Sequence, residues 1–149
     1  MPVALSEAEV GALGLIAGTM IPADAALGVP GADDPAILAD IVRSLGRDLP
    51  LVREALAEIA AKGFADLDRD RREALINDVY KSGGAPVMAL GRVILAAYYR
   101  DDRVLVALKH EARPPFPKGY PLEQGDFSLL ESVRKRPPLW RDDRKELAE

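Results

Sequence analysis

The feature that most constrains this chain is a series of six segments in which apolar residues recur at three- and four-residue spacing. That spacing places them along one face of an α-helix. Pro or Gly begins or ends most of the segments, and β-branched residues are sparse, which also favours helix. We therefore predict an all-α fold, a compact bundle of about five to six helices. The segments are residues 6–21, 35–46, 50–63, 68–82, 86–98 and 103–109.

Capping residues mark where several of these helices should begin. Ser6 and Glu9 have the spacing of a capping box, in which each side chain accepts a hydrogen bond from the backbone N–H of the other residue. Gly63 follows the third segment and is expected to end that helix in a left-handed conformation. Aspartates precede three further segments and are expected to act as N-caps: Asp34, Asp68 and the pair Asp101-Asp102.

The segment 86–98 is the most apolar of the six, and its apolar residues cover more than one helix face. A helix of that kind is expected in the centre of a bundle. Its predicted core residues are Val87, Met88, Leu90, Val93, Ile94, Ala97 and Tyr98.

Two features near the N-terminus require an explanation. Gly11, Gly14 and Gly18 lie inside the first helical segment, where each weakens the helix, so close approach of another backbone is expected. Residues 21–34 hold two prolines, two glycines and three aspartates and predict a long ordered loop. Long loops in compact domains are often functional, and this loop is therefore a candidate contact surface.

The pattern changes after residue 112. Residues 113–126 hold four prolines and two aromatic side chains, which predicts an extended segment, and one or two helical turns are expected at residues 127–133. We therefore divide the chain into a helical domain, residues 1–112, and a proline-rich aromatic arm with a charged tail, residues 113–149, that packs on the domain or on a partner. Proline-rich segments with aromatic side chains often bind another protein.

Composition excludes several kinds of chemistry. The chain has no cysteine and one histidine, so thiolate metal sites, disulfides and histidine clusters are impossible. Its net charge of -4 does not suggest a nucleic-acid-binding protein. Residues 1–40 carry six acidic side chains and no Lys or Arg, and either partner contact or solvated helix faces would explain this asymmetry.

Few residues offer catalytic chemistry. His110 could act as a general base, although its place at a predicted helix end favours a surface or capping role. Arg134-Lys135-Arg136 could bind phosphate, although such runs are commonly solvated. Paired aspartates could bind a cation but are expected to serve mainly as helix caps: Asp33-Asp34, Asp101-Asp102 and Asp142-Asp143. We predict no catalytic, cofactor-binding or metal-binding residue in this chain.

Four short motifs, in order along the chain, resemble the gluconate 2-dehydrogenase subunit 3 family. They are Met20-Ile21-Pro22-Ala23-Asp24, Pro30-Gly31-Ala32, Ala97-Tyr98-Tyr99-Arg100-Asp101-Asp102-Arg103-Val104 and Pro117-Lys118-Gly119-Tyr120-Pro121. The resemblance implies a helical, non-catalytic accessory subunit. It would bind, and stabilise or mature, a large FAD-dependent flavoprotein of the glucose-methanol-choline type that oxidises alcohol groups of sugars, glycosides or polyols.

The resemblance and the proline-rich arm together give a set of expected partner-binding residues. The motifs contribute Pro22, Asp24, Tyr98, Tyr99, Gly119, Tyr120 and Pro121, and the arm contributes Phe116, Pro117 and Trp140. FAD is expected in the partner and no cofactor in this chain. The alternatives are a free-standing helical enzyme that uses His110, and a folding chaperone that releases its client.

The N-terminal sequence bears on location. Many members of that family begin with a twin-arginine export signal, whereas this sequence begins MPVALSEAEV, with no basic region and no cleavage site. We therefore expect a cytoplasmic hetero-oligomer without nucleic acid, membrane insertion or a cytochrome partner. A periplasmic location would require a partner that carries the chain or a signal already removed.

Overall fold

Six α-helices form the first of the two units into which the chain divides, Met1–Pro114 and Pro115–Glu149. The computed structural model describes residues 4–112, 123–137 and 139. These residues contain no β-strand, which confirms the all-α prediction, and no helix among them is long and apolar enough to cross a bilayer. The helices of the first unit are α1 (Glu7–Met20), α2 (Pro35–Ser44), α3 (Leu49–Ala61), α4 (Arg69–Ser82), α5 (Ala85–Tyr98) and α6 (Asp102–Ala107).

The second unit, Pro115–Glu149, contains one short helical segment in its described part. A 3-10 turn, Phe127–Leu130, leads directly into α7 (Glu131–Arg134). The helical turns predicted at residues 127–133 are therefore confirmed. The proline-rich part of the arm, residues 113–122, lies outside the described residues.

Helix α5 is the centre of the first unit, as predicted. It packs against α2, α3 and α4, most extensively against α3, while α1 packs against α3 and α4. The prediction for Met88 is wrong, because its side chain is 58% exposed on the face of α5 that also presents Leu95 to solvent. The buried residues of α5 are Val87, Ala89, Leu90, Gly91, Val93, Ile94, Ala97 and Tyr98.

The helix caps are confirmed in atomic detail. At the start of α1 the Ser6 N–H donates to Oε2 of Glu9 at 2.7 Å, and the Glu9 N–H donates to the Ser6 hydroxyl oxygen at 3.3 Å. Gly63, which follows α3, has the left-handed φ of 71° that was expected there. The aspartates Asp34, Asp68 and Asp101 accept from backbone N–H groups at the starts of α2, α4 and α6.

The acidic N-terminal part of the chain is partly neutralised inside the first unit. Three of its carboxylates pair with arginines that lie in α3, in α6 and in the turn after α5. These pairs tie α1, α2 and the preceding loop to those later parts of the unit. The acidic side chains of residues 1–40 therefore form ion pairs within the unit, and the charge asymmetry does not by itself require a partner. The pairs are Glu9 with Arg53 at 2.7 Å, Asp34 with Arg103 at 2.8 Å, and Asp40 with Arg100, whose Nε lies 3.0 Å from the carboxylate.

The atoms nearest to the Cβ positions of Gly14 and Gly18 in α1 belong to side chains and not, as expected, to another backbone. A Cβ atom on Gly14 would lie 3.1 Å from a methyl carbon of Leu38, and one on Gly18 would lie 2.8 Å from the carboxyl group of Asp33. Gly11 is exposed and has no atom within 4 Å of its Cβ position. Two of the three glycines thus give space to side chains of α2 and its preceding loop.

We expect opposite effects on stability from two glycine-to-alanine substitutions. Gly91→Ala would place a Cβ against the hydroxyl group of Tyr80 and should lower the free energy of unfolding by about 1–3 kcal/mol. Gly11→Ala adds a methyl group in open space within a helix and should raise it by about 0.5–1 kcal/mol. Urea unfolding of the two variants checks both values. A Gly91→Ala protein as stable as the parent would show that the Tyr80 ring is not held against α5.

Candidate interaction surface

The loop between α1 and α2 is closed by two nested sets of backbone hydrogen bonds. The outer bond runs from the Ala32 N–H to the Ile21 carbonyl oxygen at 2.9 Å. The inner pair joins Asp24 and Val29 in both directions, at 3.1 and 3.0 Å. Because its ends are fastened in this way, the loop is ordered, as predicted.

Asp24 shapes the tip of this loop. One oxygen of its carboxylate accepts from the N–H groups of Ala26 and Leu27, at 2.8 and 3.1 Å, which is the hydrogen bonding of an Asx-turn. The turn presents the Leu27 side chain to solvent, with 59% of its surface exposed. The motif aspartate therefore positions an apolar neighbour that the sequence analysis did not single out.

Tyr98 fastens the loop to the end of α5. Its ring is 4% exposed, and its hydroxyl group donates to the Pro30 carbonyl oxygen at 3.1 Å. Burial, followed by the nearby Tyr99 and by the charges of Asp101 and Asp24, raises the pKa of Tyr98 above its usual value. Tyr98 is thus part of the core, and Tyr99, which is 53% exposed and edge-on to it, is the tyrosine available to a partner.

Arg103 joins the end of the loop to the start of α6. Its Nη2 lies 2.8 Å from Oδ1 of Asp34 and 2.9 Å from Oδ2 of Asp101. These hydrogen bonds are the main reason that the pKa values of both carboxyl groups are lowered and that of the guanidinium is raised. One arginine therefore connects two helix N-caps that lie far apart in the sequence.

An open groove of about 590 Å³ runs between the loop tip and α6. Leu27 and Val106, which are 59% and 63% exposed, supply its largest apolar surfaces, and Asp102 and Arg103 supply its charges. We call this the loop–α6 groove. Its full lining is Leu27, Gly28, Asp102, Arg103, Val106 and Ala107. An exposed leucine at the tip of a turn-rich loop was the only sequence signal for it.

Pro22 lies at a separate cleft of about 330 Å³ between α1 and α4. In that cleft the Tyr80 hydroxyl group lies 3.7 Å from the sulfur of Met20, and burial raises the pKa of Tyr80 to about 12. Of the predicted partner-binding residues, the structure thus brings Asp24, Tyr98 and Tyr99 to one end of the unit. The remaining six lie outside the described residues: Phe116, Pro117, Gly119, Tyr120, Pro121 and Trp140.

The residues considered for catalysis are dispersed. His110 is exposed, and its backbone N–H donates to the Leu105 carbonyl oxygen at 2.8 Å. Asp34 and Asp101 cap helices, as expected, and Asp142-Asp143 lies outside the described residues. Within residues 4–112, 123–137 and 139, no group of three or more His, Asp or Glu is arranged to hold a metal ion.

We expect the Arg103→Met variant to be less stable than the parent at neutral pH. Because Arg103 lowers the pKa values of Asp34 and Asp101 in the folded state, its stabilising effect is present above the usual Asp value of 3.8 and is lost as pH falls through the lowered values. The decrease in melting temperature, a few degrees for so exposed an ion pair, should therefore disappear in acid. Thermal unfolding of the parent and the variant, from neutral pH down to acid, measures this difference in melting temperature.

Lys81→Met is the matched control. It also replaces a positively charged side chain by methionine, in an exposed ion pair with Asp78 at 3.7 Å. It should leave the melting temperature unchanged at both ends of the pH range. A loss of stability in Arg103→Met that persists undiminished in acid would show that the ion pairs are not its cause.

Comparison of the chain with protein-family models, curated proteins and solved structures finds no match. The family resemblance therefore rests on the four sequence motifs. The structure adds that the third motif contacts the loop between α1 and α2, which contains the first two motifs.

Proposed function

We propose that this chain is a non-catalytic accessory subunit that binds, and stabilises or matures, a large FAD-dependent oxidoreductase of the glucose-methanol-choline type. The observation that carries the proposal is the meeting of motif residues beside an exposed apolar groove. In this proposal the flavin and the alcohol substrate, a sugar, glycoside or polyol, belong to the partner. The two chains form a hetero-oligomer in the cytoplasm.

The convergence of the motifs gives the resemblance a structural basis. Pro30 of the second motif and Tyr98 of the third are 68 positions apart in the sequence and are joined by a partly buried hydrogen bond from the Tyr98 side chain to the Pro30 backbone. Arg103 of the third motif binds Asp34, which directly follows the loop that contains the first two motifs. Three of the four motifs thus form one continuous part of the helical unit.

The loop–α6 groove has the chemistry of a protein-binding surface. Leu27 and Val106 are large apolar side chains that remain more than half exposed, although the same unit buries most of its other aliphatic residues. Full burial of each against a partner would be worth about 1.5–3 kcal/mol. Asp102 and Arg103 flank them and can give the partner a defined orientation, since charged groups around an apolar centre contribute mainly to specificity.

Tyr99 is a second exposed side chain suited to binding a partner, and it is 53% exposed. It follows α5 directly, and its ring stands nearly perpendicular to that of the buried Tyr98 at a centroid distance of 5.3 Å. A tyrosine fixed at its base by a buried neighbour loses little conformational entropy on binding, which is why tyrosines are frequent at the centres of interfaces.

We expect the Leu27→Asp/Val106→Asp variant to lose the flavoprotein. Two carboxylates in the groove would oppose its burial and should weaken the complex at least about 100-fold. The measurement is copurification: the tagged chain is isolated gently, and the flavin absorbance and the mass of the copurifying chain are recorded. Met88→Asp is the matched control, because Met88 is equally exposed on the outward face of α5 and should retain the partner.

Different results would support different functions. A yellow complex with a fixed ratio of chains supports an accessory subunit, whereas a partner bound during flavoprotein folding but absent from the mature enzyme would support a chaperone. A colourless chain that purifies alone under gentle conditions would overturn the proposal. Substrate turnover by the lone chain, abolished in His110→Ala, would identify a free-standing enzyme instead.

A further inference from the structure

The helical segment of the second unit exposes an unusual number of large apolar side chains. All residues from 123 to 137 are exposed. Four of the ten residues between 127 and 136 are nevertheless aromatic or aliphatic. In the first unit most residues of these types are buried. The exposed apolar residues are Phe127 at 56%, Leu129 at 74%, Leu130 at 44% and Val133 at 51%.

These four side chains share one side of the segment. At about 120° per residue in the 3-10 turn and about 100° per residue in α7, they fall within roughly half of the helix circumference. Ser128, Glu131 and Ser132 fall on the opposite half. The segment is therefore amphipathic, with an apolar face too wide for the narrow seam of a two-helix contact.

Cations follow this apolar face directly. Arg134 ends α7 and lies 3.0 Å from the Glu131 carboxylate, and Lys135 and Arg136 come next. The sequence continues this bias, because residues 134–145 contain six Lys or Arg and two Asp, a charge of +4 in a chain whose net charge is -4. Leu139, within the same stretch, is 92% exposed.

We propose that residues 127–136 adsorb to an anionic phospholipid surface. The apolar face would enter the boundary between head groups and acyl chains, and the cations would remain among the phosphates, which is the binding mode of interfacial amphipathic helices. No spanning segment is needed for this mode. The inference is independent of the proposed partner, because the loop–α6 groove belongs to the first unit.

The combination of side chains favours a lipid surface over two other anionic or apolar partners. Nucleic acid would neutralise the cations but would offer little to four exposed aliphatic and aromatic side chains, since its bases are stacked. A protein groove that holds a helix usually contacts a narrow set of anchors spaced over two turns. A phospholipid surface accommodates a wide apolar face and a cluster of cations together, without requiring a particular shape.

The test is cosedimentation of the full-length chain with phospholipid vesicles. The parent should bind vesicles of about two parts phosphatidylcholine to one part phosphatidylglycerol, should leave them at high salt, and should not bind phosphatidylcholine alone. Leu129→Asp should reduce the partition coefficient by about tenfold or more. Lys135→Glu/Arg136→Glu should reduce it by at least about 25-fold, since each cation near the surface contributes about fivefold.

Matched controls lie in the first unit. Met88→Asp makes the same apolar-to-acidic change at an exposed position of α5 outside the loop–α6 groove, and Lys62→Glu/Lys81→Glu makes the same charge reversal. Both should bind the anionic vesicles within about twofold of the parent, apart from weak long-range effects of net charge.

Three results would overturn the proposal. The first is a parent chain that does not bind anionic vesicles, or binds neutral ones equally well. The second is loss of binding in the controls to the same degree as in the segment variants. The third is normal vesicle binding by the segment variants together with loss of another ligand. Loss of binding to short duplex DNA would assign the segment to nucleic acid, and loss of the copurifying flavoprotein would assign it to a protein groove.

Discussion

The burial of α5 is the constraint on which the helical unit depends. Its apolar residues occupy more than one face, so helices must lie around it, and α2, α3 and α4 all pack against it. The same helix ends in Tyr98, whose hydroxyl group reaches the Pro30 carbonyl oxygen. The position of the loop–α6 groove therefore follows from the core: the residue that completes the packing of α5 also fixes the loop that forms one wall of the groove.

Ion pairs add to this packing between parts of the chain that are distant in sequence. Glu9 and Asp34 lie at helix starts, where they cap, and each also binds an arginine from a later helix. Asp40, within α2, binds Arg100 in the turn after α5. Exposed ion pairs of this kind contribute little free energy each. Their effect here is to fix orientation, because Arg103 holds two caps at once and so sets the direction in which α6 leaves the bundle.

Much of the fold could be predicted from the sequence, because its signals are local. Capping residues, proline and glycine boundaries and apolar spacing depend on neighbours within one or two turns, and they gave the helices and the central place of α5 correctly. The failures arose where the answer depends on distant residues. Met88 has the type of a core residue, but its face of α5 is left exposed by the helices within the described part of the chain. The partners of Gly14 and Gly18 proved to be side chains from α2 and the loop before it. The Arg103 bridge and the Leu27–Val106 surface likewise depend on tertiary contacts that no local pattern records.

A binding surface must be held firmly by the fold, and its exposed residues must be free to change. The two sets of hydrogen bonds that close the loop between α1 and α2 separate these two requirements. The bonds between Ile21 and Ala32 and between Asp24 and Val29 complete the path of the chain before the tip begins. Residues at the tip can therefore differ in size, charge or number while these hydrogen bonds still join the end of α1 to the segment before α2. A fold of this design can acquire a new binding partner through changes at a few exposed positions, while the helices that make it stable remain as they are.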